Sequence, residues 1–156
     1  MQRSPAFTLI EISISVFILL LLLLVAVPSL SGVMADRRLR RSLDDLNRFV
    51  QDARDRSVSE HRPYLIVWAK ESLVLRPEGL TKDDAKNPGT IYKVRRGDAF
   101  QLSLPAALEK EPPAEWIFWP SGTCEPAVVT FKGPEGRWTA KYSPLTARAE
   151  VTKYGR

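Results

Sequence analysis

Few side chains in this 156-residue chain have the types and spacing that catalysis requires. Catalysis needs a nucleophile and a base within hydrogen-bond reach, or several metal ligands that converge on one point. His61, the sole histidine, stands between Glu60 and Arg62 at the expected end of a helix, which favours a capping or solvated role. Cys124, the sole cysteine, follows a Pro-Ser-Gly-Thr turn, and we interpret it as a bystander. The sequence therefore predicts no catalytic residue, no metal site and no cofactor, in a protein that is not an enzyme.

One polar loop offers oxygen ligands of the kind that calcium prefers. Asp83, Asp84 and Asn87 lie in the stretch "PEGLTKDDAKNPG". The ligands are few and lack the spacing of an EF-hand, so we predict a solvated loop here.

Glu11 is the most unusual charge in the sequence, because a long apolar run follows it at once. Residues 12–35 carry no charge, and they outnumber the roughly 20 residues that a helix needs to cross the hydrocarbon core of a membrane. A charged side chain at membrane depth costs about 2.5–3.5 kcal/mol on insertion scales, so it is expected to have a partner. The run predicts a membrane span. Glu11 indicates that the span also meets a partner for this charge, which a plain membrane anchor does not supply.

Two simpler interpretations of this segment remain open at this point. A cleavable signal peptide would end at the small residues before Asp36, although the uncharged run exceeds the 7–15 residues of a typical signal core. A plain signal anchor would place Glu11 at the cytoplasmic interface, where its side chain could snorkel toward water.

The stretch "AFTLIEISISVFILLLLLLVAVPSL" resembles the leader and N-terminal helix of type IV pilins and pseudopilins. The resemblance implies a leader over residues 1–6 and cleavage by a prepilin peptidase between Ala6 and Phe7, followed by methylation of the new amino group of Phe7. It also implies a transmembrane helix over residues 7–35 in the inner membrane, with a helix kink at Pro28. Ala6 stands where the family more often has glycine.

Cleavage would give Glu11 the partner that it lacks. In a bundle of parallel helices, the new amine on Phe7 of one subunit can lie against Glu11 of its neighbour. A buried ion pair adds little net stability, but a neighbour in the wrong register would leave both charges unpaired at a cost of several kcal/mol. We therefore interpret Glu11 as a residue that sets the register of subunits in a filament.

The charges flanking the run conflict with the topology that this resemblance implies. Four arginines follow the run and only Arg3 precedes it, which by the positive-inside rule would place the C-terminal part in the cytoplasm. The peptidase acts from the cytoplasm on the leader, so the resemblance implies a periplasmic head instead. We therefore predict a periplasmic head, as the resemblance to prepilins implies.

The rest of the chain predicts a helix followed by a β-rich head. Apolar residues recur at helical spacing within an amphipathic helix over residues 36–62, at Leu39, Leu43, Leu46, Val50 and Ala53. Eight short β-rich runs then fill residues 63–156: "YLIVWA", "SLVLR", "TIYKV", "AFQLSL", "EWIFW", "AVVTFK", "RWTAKY" and "RAEVTK". The glycines of "GPEG" predict a hairpin turn. The fold class is α+β, with residues 36–156 as one globular domain whose helix covers an antiparallel sheet or pair of sheets.

Four aromatic residues lie close to alternating strand positions, where rings usually fill a core. Trp116, Phe118, Trp119 and Trp138 are therefore predicted to be core residues rather than a stacking platform.

The resemblance extends more loosely into the head. "EHRPYLIVWAKESLVL", "IFWPSGT" and "AVVTFKGPEGRWTAKYSPLTARAEV" resemble H-type minor pseudopilins of type II secretion and the related FimT group, although Ser143 and Ala147 depart from that pattern. The resemblance implies a structural subunit near the tip of a pseudopilus, with partners that include other pseudopilins and an exported protein. One alternative is a minor type IV pilin that supports pilus assembly or DNA uptake.

The formal net charge of +5 allows a partner of negative charge without requiring one. Under the pilus alternative, nucleic acid would contact the basic C-terminal residues Arg148, Lys153 and Arg156. The simpler interpretation is a solvated strand edge whose charges discourage sheet pairing. A third alternative is a stand-alone anchored or secreted binding domain.

Overall fold

The structure is a computed structural model that describes residues 8–79, 89–107 and 113–155, without the side chains of residues 24–33. The chain divides into two compact units, Met1–Arg37 and Arg38–Arg156.

A single helix, α1 (Leu9–Ser59), runs for 51 residues and includes most of both predicted helical segments, residues 7–35 and 36–62. It ends where the amide of Glu60 donates to the carbonyl of Arg56, and His61 then adopts a left-handed φ of 53°. Such a conformation cannot continue a right-handed helix. The backbone remains helical through position 28, whose side chain lies outside the described residues, so the kink at Pro28 stays a prediction.

In the described residues after α1 there are eight strands, and they coincide with the eight predicted runs. They are β1 (Tyr64–Ala69), β2 (Ser72–Pro77), β3 (Ile91–Lys93), β4 (Ala99–Ser103), β5 (Glu115–Phe118), β6 (Ala127–Gly133), β7 (Gly136–Tyr142) and β8 (Ala149–Gly155). They form two four-stranded antiparallel sheets, with the order β3-β2-β1-β5 in sheet A and β4-β6-β7-β8 in sheet B. The prediction of an α+β fold is confirmed, and of the two predicted arrangements, one antiparallel sheet or a pair, the structure has the pair.

The β6–β7 hairpin turns at the predicted "GPEG". Gly133 pairs with Gly136, and Gly136 has a φ of 149°. A β-carbon on Gly133 would lie 2.8 Å from Phe131 Cζ and 2.9 Å from Asp98 Oδ1, so a larger residue at this turn would have to displace these side chains.

The core of the second unit lies between the C-terminal part of α1 and the inner faces of the sheets. Leu39, Leu46, Val50 and Ala53 are buried and Leu43 packs against them, so the predicted helix face is confirmed. The sheets contribute a cluster of fully buried aromatic rings: Trp116, Phe118, Trp138 and Tyr142.

Trp119 corrects the prediction for the aromatic residues. Its side chain is 37% exposed, whereas Trp116 and Phe118 are fully buried. Side chains alternate between the two faces of a strand, so the residue that follows the inward Phe118 is turned away from the core.

Hydrogen bonds between α1 and the β-rich part of the head hold the helix at several points along its length. Trp138 Nε1 donates to Ser42 Oγ at 2.9 Å, and the Tyr142 hydroxyl donates to Asn47 Oδ1 at 2.7 Å. Nearer the end of the helix, Arg54 Nε donates to the carbonyl of Gly122 at 2.9 Å. Directional bonds of this kind fix the position of the helix along the sheets, which apolar contacts alone specify less strictly.

Candidate assembly surfaces

The first described part of α1 is an apolar rod with no covering. Every apolar side chain from Leu9 to Leu23 is at least 50% exposed, around the whole circumference of the helix. Contiguous exposed apolar area of this extent marks a surface that binds a partner or a membrane.

The serine hydroxyls and the Glu11 amide at the start of this rod form hydrogen bonds within the helix itself. The amide of Glu11 donates to the carbonyl of Thr8 at 3.1 Å and approaches Thr8 Oγ1 at 3.3 Å, so Thr8 acts as the N-cap. The hydroxyls of Ser13 and Ser15 donate to the carbonyls four residues earlier, at 2.9 and 2.8 Å. Both serines can therefore enter an apolar contact without leaving a donor unpaired.

Glu11 is exposed in the first turn of α1 and is the single charged residue between positions 8 and 23. Its predicted partner, the amine on Phe7, and the cleavage position at Ala6 lie outside the described residues. The intersubunit pair and the cleavage stay predictions.

In the parts of the chain that the structure describes, no helix combines the length and the apolar character that a membrane crossing needs. The predicted span over residues 7–35 includes Phe7 and the side chains of 24–33, which are not among the described residues, and the span stays a prediction.

Sheet B presents a strongly basic outer face. Side chains alternate along β6 and β7, so that Phe131, Trp138 and Ala140 point into the core while their neighbours point outward. The register aligns Lys132 with Arg137 and Thr139 with Lys153. The outward cations of these strands, here called the basic face, are Lys132, Arg137, Lys141 and Lys153.

Of the two predicted nucleic-acid residues that the structure describes, one is part of the basic face. Lys153 belongs to it, and Arg148 is exposed just before β8 begins. Arg156 lies outside the described residues. Sequence reasoning missed Lys132, Arg137 and Lys141, although they stand at the polar positions of two correctly predicted strands.

Retaining the basic face costs stability. Lys132 and Arg137 are directly opposite each other on neighbouring strands, and like charges at such positions are destabilising. On the four strands of sheet B, the outward carboxylate is Glu150, which pairs with Lys141 in the register. The outer face of sheet B therefore carries an excess of positive charge that suits a partner of negative charge.

A cleft of about 280 Å³ lies beside α1, where the β3–β4 and β6–β7 connections meet the helix. Arg38 Nη1 and Glu135 Oε1 lie 2.9 Å apart at this cleft, and this hydrogen bond holds the pKa of the Glu135 carboxyl below its usual value. Burial raises the pKa of the nearby Asp98 carboxyl. Arg38, Arg95 and Arg96 face Asp45, Asp98 and Glu135 here, so the charges of the cleft balance.

Cys124 and His61 occupy structural positions. The Cys124 thiol is buried and donates to the carbonyl of Ser143 at 3.6 Å, and burial raises the pKa of this thiol to about 11. A thiol with that pKa is protonated at neutral pH, whereas the thiolate is the nucleophilic form. His61 is exposed after the helix end, with Nδ1 3.3 Å from the carbonyl of Ser59.

Asp83, Asp84 and Asn87 lie outside the described residues, and among the described ones no three potential ligands cluster around a metal position.

No protein-family model matches the sequence, and a search of the curated proteins finds no match. Among solved structures, the chain is similar to the type IV minor pilin FimU of Pseudomonas aeruginosa strain PAO1, with 17% sequence identity and a TM-score of 0.55. That similarity covers 76% of this chain and 90% of the FimU chain.

The chain is also similar to the minor pseudopilin EpsH from the type II secretion system of Vibrio cholerae, with 10% identity and a TM-score of 0.52. Here the similarity covers 76% of this chain and 95% of the EpsH chain. The fold is therefore pilin-like, as the sequence predicted.

Proposed function

We propose that this chain is a minor pseudopilin, a structural subunit of the type II secretion pseudopilus that supports filament assembly and protein export near the filament tip. The observation that carries the proposal is the uncovered apolar rod of α1, with Glu11 as its one charge. A pilin-like fold supports it, because the same chain then provides a helix for a filament core and a head for the filament surface.

In this proposal the precursor is a single-pass protein of the bacterial inner membrane with its head in the periplasm. Prepilin peptidase removes residues 1–6 and methylates Phe7, and the mature subunit then moves from the membrane into the filament. The partners are other pseudopilins, which cover the rod, and an exported protein at the tip.

The energetics favour covering the apolar rod over exposing it to water. Burial of apolar surface contributes about 25 cal/mol per Å², so covering the rod with neighbouring helices or lipid is strongly favourable. In a bundle with the wrong register, Glu11 would be a buried charge without a partner, which costs several kcal/mol. The apolar surface therefore keeps the rod out of water, in lipid or among neighbouring helices, and the carboxylate selects one arrangement of those helices.

Mass spectrometry of the mature protein tests the processing step. We expect an N-terminal methylated Phe7 in cells that contain the peptidase. An N-terminus at Asp36 would indicate a cleaved signal peptide, and an intact N-terminus would indicate a plain anchor. Either result would contradict the proposal.

Deletion of the gene separates the secretion pseudopilus from the type IV pilus. A pseudopilin predicts loss of protein export with DNA uptake unchanged. Loss of DNA uptake with normal export would instead establish a minor pilin.

A further inference from the structure

Strand β8 forms a long open edge of sheet B. It has seven residues, whereas the other strands at the ends of the two sheets, β3, β4 and β5, have three, five and four. In the part of the chain that the structure describes, β8 pairs with β7 and no strand pairs with its other side. A strand at such an edge presents a row of backbone N–H and C=O groups that can pair with another chain.

The opposite edge of sheet B, at β4, adjoins sheet A. Phe100 on β4 packs against the core, and its ring centroid lies 5.9 Å from that of Tyr92 on β3. Of the two ends of sheet B, β8 is therefore the one that leaves room for a further strand.

The inner side of β8 carries apolar surface that the core leaves exposed. Residues directly paired on neighbouring strands have side chains on the same face of the sheet. Trp138 and Ala140 on β7 are fully buried, whereas their partners on β8, Tyr154 and Val151, are each 42% exposed. The covering of the core thus ends between β7 and β8, and an added strand would cover the apolar groups that remain.

The outer side of β8 carries charges. Lys153 lies opposite the outward Thr139, and Glu150 lies opposite the outward Lys141. Alternation along a regular strand would put Glu150 and Lys153 on opposite faces. The register shift between Thr139 and Ala140 brings both to the outer face, as bulges commonly re-aim side chains.

We propose that an extended segment of a different pseudopilin subunit adds to β8 as a further strand of sheet B. Its acidic side chains would face outward and its apolar side chains inward. The inference rests on the proposed function, because it describes how neighbouring heads meet in a filament. In strand addition of this kind, main-chain hydrogen bonds supply affinity and alternate side chains supply specificity.

Charge and permanence select this occupant. The cations Arg137, Lys141 and Lys153 outnumber the carboxylate of Glu150 on the outer side of β7 and β8. A strand with carboxylates is therefore attracted to this edge, whereas a second copy of this chain would bring the same cationic excess. A filament neighbour covers the edge for as long as the subunit is assembled. An exported protein would leave the edge open after its release, and open edges promote aggregation.

Binding of a synthetic peptide to the full-length protein in detergent tests the mode of binding. The probe is a capped peptide of alternating glutamate and valine, matched to β8 in length, and calorimetry measures its affinity. Two further peptides carry N-methyl groups on one or the other alternate set of amides. Because an added strand pairs through the amides of one edge only, we expect one methylated peptide to bind like the probe and the other to lose binding.

Lys153→Glu should weaken binding of the unmethylated probe by about tenfold, because it replaces an attraction with a like-charge pair. The matched control is Lys93→Glu, since Lys93 is exposed on β3, another edge strand, and this variant should bind the probe like the native chain. A peptide with lysine in place of glutamate should bind Lys153→Glu more tightly than it binds the native chain. That reversal distinguishes a direct contact from a variant that has lost its fold.

Photo-cross-linking in cells that carry the filament machinery identifies the occupant. One strain carries Glu150→p-benzoylphenylalanine, and the control strain carries Lys93→p-benzoylphenylalanine. In the filament fraction, we expect a cross-link from position 150 to a different pseudopilin, and no cross-link to that subunit from position 93.

Absence of binding by the unmethylated probe would overturn the inference, as would equal effects of the two methylations. A cross-link from position 150 to a second copy of this chain or to an exported protein, in place of a different pseudopilin, would also overturn it. If the labelled chain enters the filament fraction without any cross-link to another pseudopilin, the inference fails while the proposed function stands. If the native chain does not enter the filament fraction, the proposed function fails and the inference fails with it.

Discussion

The indole N–H of Trp138 donates a hydrogen bond to the hydroxyl of Ser42, 2.9 Å away, across the contact between α1 and sheet B. The Ser42 hydroxyl in turn donates to the carbonyl of Leu39 at 2.7 Å. Trp138 is fully buried, and its indole N–H uses the half-buried Ser42 hydroxyl as its acceptor. This short chain of bonds fixes the helix on the part of the sheet from which the basic face projects.

Ser42→Ala should destabilise the protein by about 1–3 kcal/mol, because it leaves a buried indole donor unsatisfied. Urea unfolding of the full-length chain in detergent, followed by tryptophan fluorescence, measures this change. Ser59→Ala is the matched control, since that hydroxyl is exposed at the helix end and should change stability by less than about 0.5 kcal/mol. Equal effects of the two substitutions would contradict the structural role of Ser42.

Leu46→Ala should cost about 2–5 kcal/mol, because Leu46 is fully buried where α1 meets the sheets. Leu145→Ala removes the same atoms from a side chain that is 72% exposed, and it should be nearly neutral. The difference in urea midpoint between the two variants checks the packing of the helix. A destabilisation of similar size in both would show that Leu46 is not in the core.

The stability of the head should depend on pH through Cys124. Burial raises the pKa of this thiol to about 11, from an ordinary value of about 8.5, so the unfolded chain loses its proton first as the pH rises. The contribution of the thiol is therefore complete below about pH 8.5 and is lost progressively toward pH 11.

Between pH 8 and 11, the free energy of unfolding should fall by on the order of 2–3 kcal/mol more in the native chain than in Cys124→Ala. Burial also raises the pKa of Tyr142, but that tyrosine is present in both proteins, so the difference isolates the thiol. Parallel pH profiles for the two proteins would show that the thiol is not buried in solution.

Much of this fold could be predicted from local sequence pattern. The eight strands are bounded by Gly and Pro, and the buried side of α1 repeats at helical spacing, so both follow from short-range regularity. The division of the strands into two sheets could not be predicted in the same way. β5 pairs with β1, and β4 pairs with β6, across long separations that no local pattern encodes.

The candidate surfaces were predictable to different degrees. Glu11 stands out because a charge beside a long apolar run is rare. The basic face depends on which side of each strand points outward and on which strands are neighbours, so Lys132 and Lys153 come together only through the register of sheet B. The core prediction for Trp119 is wrong because Phe118 and Trp119 are consecutive, and strand alternation cannot turn both side chains inward.

The role of Glu11 in filament assembly is the central claim, and incorporation of a Glu11→Ala variant tests it most directly. Ser15→Ala is the matched control, because Ser15 bonds within the same helical segment and carries no charge. The measurement is the fraction of mature, methylated protein recovered with cross-linked filaments from cells that contain the secretion machinery. We expect both variants to be processed normally, with Ser15→Ala incorporated like the native chain and Glu11→Ala largely excluded. Incorporation of Glu11→Ala at the native level would contradict the account.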